Sequence, residues 1–437
     1  MDYYLSYFEM RTTSGTSLIM HLHLQSNSIY TNQLNTDNFA RMLKDPSQCY
    51  KFYWLEAILT LMETTDGDLS FDSIINEMIC AAWYSVVNYH LHLGPTIRGK
   101  SENFLEHAIR ILESDPVLPR HCSKQDLLDA IRRNSKELRN DKNGLAINVP
   151  YRLLSSFLNE LAGTSRLWYQ RRQMIGYLLQ ANEKSPLPYI IIDGPGLEKK
   201  VRVNPHWRQL MLDNYPVIRS WIRLKKVRFL QDRNPGVPGI IYKLEEHEAG
   251  ARKLNNARRL WKTVAEVSNR PIRDIYTGQL LAGNQFDLDH FIPWSYITND
   301  ELWNLTPMDG RLNSSKSNKL PEWEAYFRSL AENQYFLYEM IFSRELVRKQ
   351  FEKCRRDNLN AVWAAETLYV EGNSGERFRD ILEHNLRPLY ESAKLQGYEL
   401  WKYGGPGAAG NVNCDVTFDE GSERFYLAAE RISSPKP

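Results

Sequence analysis

Between Phe286 and Pro321 the chain reads "FDLDHFIPWSYITNDELWNLTPMDGRLNSSKSNKLP", which places an acid-imidazole pair, Asp289-His290, ahead of Pro293, then Asn304, Asn313, Lys316 and Lys319. An imidazole with an ordinary pKa near 6.5 accepts a proton at neutral pH. Carboxylate and amide oxygens are hard donors of the kind Mg²⁺ prefers. Such a set of residue types could activate a water and place a hydrated cation beside it.

Their placement depends on local structure. In "YTGQLLAGNQFDLDHFIPWS" two short extended runs meet at Ala282-Gly283-Asn284, which predicts a hairpin turn. Pro293 ends the second strand because it cannot donate to a ladder. On a regular strand Asp287 and Asp289 share one face and His290 takes the other. Asp289 and His290 therefore serve one site only where the strand loses regularity, as it can near Pro293. Asp309 is a candidate cap for a helix carrying Asn313 on its first turns. The expected order is strand, strand, helix.

At these positions the chain resembles the HNH endonuclease motif, a ββα-metal fold. Asp289-His290 with Ile292-Pro293 matches the family's first element, Asn304-Leu305 its central one, and Asn313 with Lys316 its last; the resemblance runs from about Asn269 to Trp323. It implies that His290 is the general base, that Asp289 and Asn313 hold one divalent cation (Mg²⁺, or another such as Mn²⁺), and that Asn304 braces the loop behind His290. The preference for Asp289 over Asp287 comes from the resemblance alone. Family members with a structural zinc carry CxxC pairs, whereas "RDIYTGQ" and "PMDGRLN" have no cysteine, so no structural zinc is expected. Arg311, Lys316 and Lys319 are expected to hold the DNA backbone.

The wider chain supplies a local field. Its net charge is only +2, yet 14 Lys and Arg stand against 5 Asp and Glu between Val217 and Arg273. Such a basic stretch suits sequence-independent phosphate contact. Arg252, Arg259 and Lys262 are expected to align on one helical side, with Arg219, Arg223 and Lys226 on another. Trp221, Phe229 and Trp261 among them read as core. The pairs His21/His23 and His90/His92 lie in apolar runs without acidic or cysteine neighbours, so they read as packing or hydrogen-bonded histidines. "DGPG" near Asp193 lacks the pattern of a nucleotide-binding loop.

The 437 residues allow two to four domains at the usual size, and 42% hydrophobic with 25% charged residues excludes disorder as the default. Five scattered cysteines (Cys49, Cys80, Cys122, Cys354, Cys414) fit reduced thiols. The N-terminus has acidic residues where a signal peptide needs Lys or Arg, and no apolar run is long enough for a membrane span. A cytoplasmic location is expected.

The fold is expected to be mainly α with a small α+β insert. Four parts are read: a helical N-terminal domain (1–145), a basic region of helices and a β-hairpin (146–265), the HNH module (266–330), and a helical C-terminal region with a Gly-rich tail (331–437). Helices are expected over 38–115, reaching a stop at Gly94-Pro95 with Asp72 or Ser73 as cap, and over 123–180 with a break near Pro150. A hairpin is expected over Tyr189–Val203. A large helical half joined to an HNH module resembles bacterial nucleases of anti-phage defence. That likeness implies an N-terminal part that senses a trigger or binds a partner or a second copy. The alternatives to a DNase are a catalytically silent DNA-binding or assembly subunit and an RNA-cleaving variant.

Overall fold

Apolar side chains recurring at three- and four-residue spacing make helices the dominant element. A computed structural model describes them over residues 34–95, 102–119, 122–158, 170–244, 252–268, 271–281 and 285–404, with 22 and 24. The His21/His23 pair, the Ala282-Gly283-Asn284 turn and Cys414 lie outside the described residues.

Helix α1 (Thr36–Arg41) precedes α2 (Tyr50–Thr64), which buries Phe52, Tyr53, Trp54, Leu55, Ile58, Leu59 and Met62 and therefore lies inside its layer. A two-residue strand, β1 (Leu69–Ser70), leads into α3 (Phe71–Val87). The cap is Ser70, whose side chain accepts from Ser73 N, rather than Asp72 or Ser73. The helix also stops before Gly94-Pro95. Leu91 N reaches back to Ser85 O at 2.9 Å and His90 adopts φ 51°, so a histidine occupies the left-handed position usual for glycine at a helix end.

Next come α4 (Phe104–Glu113), α5 (Lys124–Arg133) and α6 (Arg139–Arg152). The expected break at Pro150 is absent: α6 runs two residues past it and tightens into a 3₁₀ turn at Leu153–Phe157. One missing donor is tolerated because Leu145, Val149 and Tyr151 are fixed in the core. Helix α7 (Arg171–Lys184) is followed by β2 (Tyr189–Ile192) and β3 (Lys200–Val203), paired antiparallel from Tyr189↔Val203 to Ile192↔Lys200. This is the expected hairpin, and β1 extends it in the order β1-β3-β2. Helices α8 (Pro205–Asp213) and α9 (Tyr215–Arg233) precede the short α10 (Ile240–Lys243) and α11 (Asn255–Val267).

The expected strand-strand-helix order needs one correction. Among the described residues β4 (Asp287–His290) does not pair with the run before it. That run closes on itself through the Arg273↔Leu280 bridge, around a turn where Asp274 Oδ1 accepts from Tyr276 N and Thr277 N. β4 pairs instead with a later strand, β5 (Leu305–Met308), across a loop that holds α12 (Trp294–Ile297). Helix α13 (Gly310–Lys316) follows β5 directly. Then come β6 (Leu320–Pro321), α14 (Trp323–Ser343), α15 (Glu345–Asn358), α16 (Gly375–Leu395) and β7 (Leu400–Trp401), with β6 and β7 parallel. Helix α15 packs against α11 and α14.

Candidate active site

The ladder of β4 and β5 sets Asp289 opposite Thr306 and His290 opposite Leu305. Just beyond it, Asn304 takes over the role of a strand. Its carbonyl accepts from Phe291 N at 2.9 Å, its side-chain oxygen accepts from Ile292 N at 2.8 Å, and its amide donates to Ile292 O at 2.9 Å. With Asn304 fully buried, these bonds fix the chain direction immediately after His290, where Pro293 forbids a further ladder bond.

Asp289 is buried and paired on both oxygens: Tyr276 Oη donates to Oδ2 at 2.6 Å and Lys316 Nζ to Oδ1 at 3.0 Å. Burial, followed by the nearby Asp289 charge, pushes the Tyr276 phenol well up, so it stays a donor. Lys316 Nζ also donates to His290 O at 2.7 Å, joining α13 to the end of β4.

His290 Nε2 lies 2.9 Å from Asp300 Oδ1, with the two side chains 4% and 9% exposed. Asp300 Oδ2 accepts from Lys253 N at 2.8 Å. Burial raises the Asp300 pKa, but the His290 hydrogen bond and charge, the Lys253 amide and Arg252 outweigh it and hold the carboxyl below its ordinary value. An ionised carboxylate only accepts, so at this contact Nε2–H is the donor.

On α13, Asp309 caps as its sequence position predicts, Oδ1 accepting from Arg311 N and Leu312 N. Asn313 and Lys316 are three apart and share a helix face. Because Lys316 reaches Asp289, that face looks toward β4. A carboxylate at Asp289 and an amide oxygen at Asn313 suit a hard cation that keeps most of its waters, since each Asp289 oxygen retains a second lone pair. Lys316 would then share the carboxylate with the ion. Among the described residues no three His, Cys, Asp or Glu side chains gather to hold an ion.

The cations fall into two groups. Arg311 and Arg259 are exposed, and Lys262, half-buried, lies three residues from Arg259 on α11. Lys319 pairs with Glu399 at 2.8 Å. Two expectations are corrected. Arg252 precedes α11 and stacks over Trp294 at 5.0 Å, so it does not line up with Arg259 and Lys262 along a helix. Lys316 is fully buried, tied to Asp289 and His290 O, so it faces inward rather than toward an external phosphate. On α9, Lys226 is buried against Glu56 at 2.6 Å and over Tyr53, and Arg223 donates to Ile241 O. Trp221, Phe229 and Trp261 are core. His90 packs on Tyr398 at 4.5 Å, with burial foremost in drawing its pKa down to about 4, and His92 lies 3.8 Å from Glu106. His90 is the packing histidine expected, whereas His92 is exposed beside an acidic side chain.

Tyr276, Asp300, Lys253 and Asn358 were not marked by the sequence. Asn358 Nδ2 donates to both Lys253 O and Asp300 O, at 2.8 and 2.7 Å. Asp300 sits in "TND", which reads as an ordinary turn. No spacing rule links it to His290.

Comparison with known proteins gives one family: residues 273–322 match the model described as HNH endonuclease. No curated protein and no solved structure matches the chain. HNH nucleases generally use divalent metal ions.

Proposed function

Starting from residues 273–322 as a member of the HNH endonuclease family, a nuclease-type hydrolase acting on nucleic acid, we propose that the chain is a Mg²⁺-dependent DNA endonuclease. His290 Nδ1 takes the proton of a water whose oxygen bonds to phosphorus as the bond to the leaving oxygen breaks. Asp289 and Asn313 hold the divalent ion, which when bound neutralises charge on the phosphate and the leaving oxygen. Asn304 keeps His290 at the strand end. Arg311, Lys319, Arg252, Arg259 and Lys262 contact backbone phosphates, giving salt-sensitive affinity without sequence preference. The observation that carries this reading is a buried imidazole with Nε2 committed to a carboxylate, next in sequence to a buried Asp289.

The test is supercoiled plasmid with the purified chain, in Mg²⁺, in Mn²⁺ and in chelator, beside His290→Ala and with RNA as a parallel substrate. Nicking or linearisation that needs both metal and His290 is expected. Retarded but intact plasmid would establish the second reading, a silent DNA-binding or assembly subunit. The Lys316 ammonium already neutralising Asp289 is the observation that favours it. Cleavage confined to RNA would replace DNA as substrate. The large helical region joined to the module supports an effector role in bacterial anti-phage defence, working in the cytoplasm with its N-terminal helices binding a partner or a second copy. Plaque counts on cells carrying the wild type or His290→Ala test that role.

A further inference from the structure

We infer that Asp300 is a positioning residue for His290, fixing the imidazole with its proton on Nε2 and Nδ1 bare, and that residues on both sides of the matched segment hold Asp300 in place. This inference rests on the nuclease reading for its consequence, though its geometry stands apart from it.

Three stretches meet at Asp300. From the segment before α11, Lys253 N donates to Oδ2. From the end of α15, Asn358 donates to Asp300 O and to Lys253 O, locking both backbones to one fully buried amide. Asn256 donates to Asp357 at 2.7 Å, so the start of α11 and the end of α15 are tied a second time. Glu301, buried beside Asp300, accepts from Asn360 N at 2.9 Å and from Ala361 N at 3.3 Å.

The distribution of these bonds separates a positioning role from loop closure. An aspartate that only shapes a turn spends its oxygens on nearby amides of its own loop. Asp300 instead gives Oδ1 to an imidazole ten residues earlier and Oδ2 to an amide 47 residues earlier. Glu301 meanwhile satisfies the amides after α15. Rotation of the His290 ring would forfeit a charge-assisted hydrogen bond in a site shielded from water. The ring is thus held in the one orientation that leaves Nδ1 bare. Lys253 and Asn358 lie outside residues 273–322, so the matched segment alone lacks part of the frame that orients its imidazole.

Full-length protein labelled with ¹⁵N-histidine tests this, His290 being assigned from the signal lost in His290→Gln. The wild type is expected to show a protonated Nε2 and an unprotonated Nδ1. Asp300→Asn keeps the size of the side chain but turns an NH₂ toward Nε2, which must then accept; the expected result is a swapped tautomer and a kcat lower by roughly a hundredfold with KM little changed. Asp300→Ala removes the partner without imposing the wrong tautomer and is expected to lose less. A packing role gives the reverse order, with the isosteric Asn the milder change. Wild-type His290 with its proton on Nδ1, or an Asn variant cutting near the wild-type rate while His290→Ala is dead, would overturn the inference. If His290→Ala cuts normally, the nuclease assignment of His290 falls instead, and the wild-type tautomer still decides whether Asp300 orients the ring.

Discussion

Buried charge serves different ends in the N-terminal helices and around His290. Between α2 and α9, Lys226 meets Glu56 at 2.6 Å over the Tyr53 ring. At the start of α3, Lys142 from α6 meets Asp72 at 2.8 Å. Glu106 caps its own helix through Asn103 N at 2.9 Å and also takes Leu93 N. Each of these groups ties neighbouring backbone or helices together, and none of them meets the others at a single side chain. Around His290 the same kinds of contact run in series: Tyr276 and Lys316 on Asp289, Lys316 on His290 O, Asp300 on His290 Nε2, Lys253 and Asn358 on Asp300. Burial by itself does not mark chemistry, because a buried ion pair often contributes little to stability beyond what an apolar pair would. Convergence on one imidazole does.

Breaking each buried pair sharpens the contrast most. Lys316→Met strands the buried Asp289 carboxylate and Lys226→Met the half-buried Glu56 carboxylate, and they are expected to cost about 3 kcal/mol and somewhat less in urea unfolding. Only Lys316→Met is expected also to lose cleavage per folded molecule, by tenfold or more. Equal loss of cleavage in both would erase the distinction. Asn304→Ala orphans the buried Ile292 N–H and C=O and is expected to cost about 2 to 4 kcal/mol.

A smaller effect separates the regions by pH. Burial lowers the folded pKa of His90 to about 4, below an unfolded value near 6.5. The fold prefers the neutral ring, so this stability is complete above pH 6.5 and drains away as pH falls through 4, up to about 3 kcal/mol. His90→Asn, which tolerates the left-handed backbone, is expected to flatten that window in pH-dependent unfolding. The smallest stability change belongs to Arg259→Ala and Lys262→Ala, within about 0.5 kcal/mol. Their readout is DNA affinity against salt, where each is expected to reduce the logarithmic slope by about one.

Local pattern made much of this legible. The hairpin over Tyr189–Val203, the Asp309 cap and the core tryptophans of the basic stretch follow from alternation, helical spacing and turn chemistry. The misreadings share one cause. The pairing of β4 with β5 rather than with the run before it was decided by a turn that closed the earlier run on itself. Pro150 stayed inside a helix because packing outweighed one lost donor. Lys316 reads as a surface cation by composition, but α13 turns it onto Asp289.

Taken alone, the sequence determined which residue types stand at 289, 290, 304 and 313 and the offsets between them, because chemical identity and spacing are properties of the chain itself. Only the tertiary structure decided that Asp300 holds the imidazole and that Lys253 and Asn358 hold Asp300. Hydrogen bonds between residues 47 and 58 positions apart arise from helices packing face to face, and no local period records them.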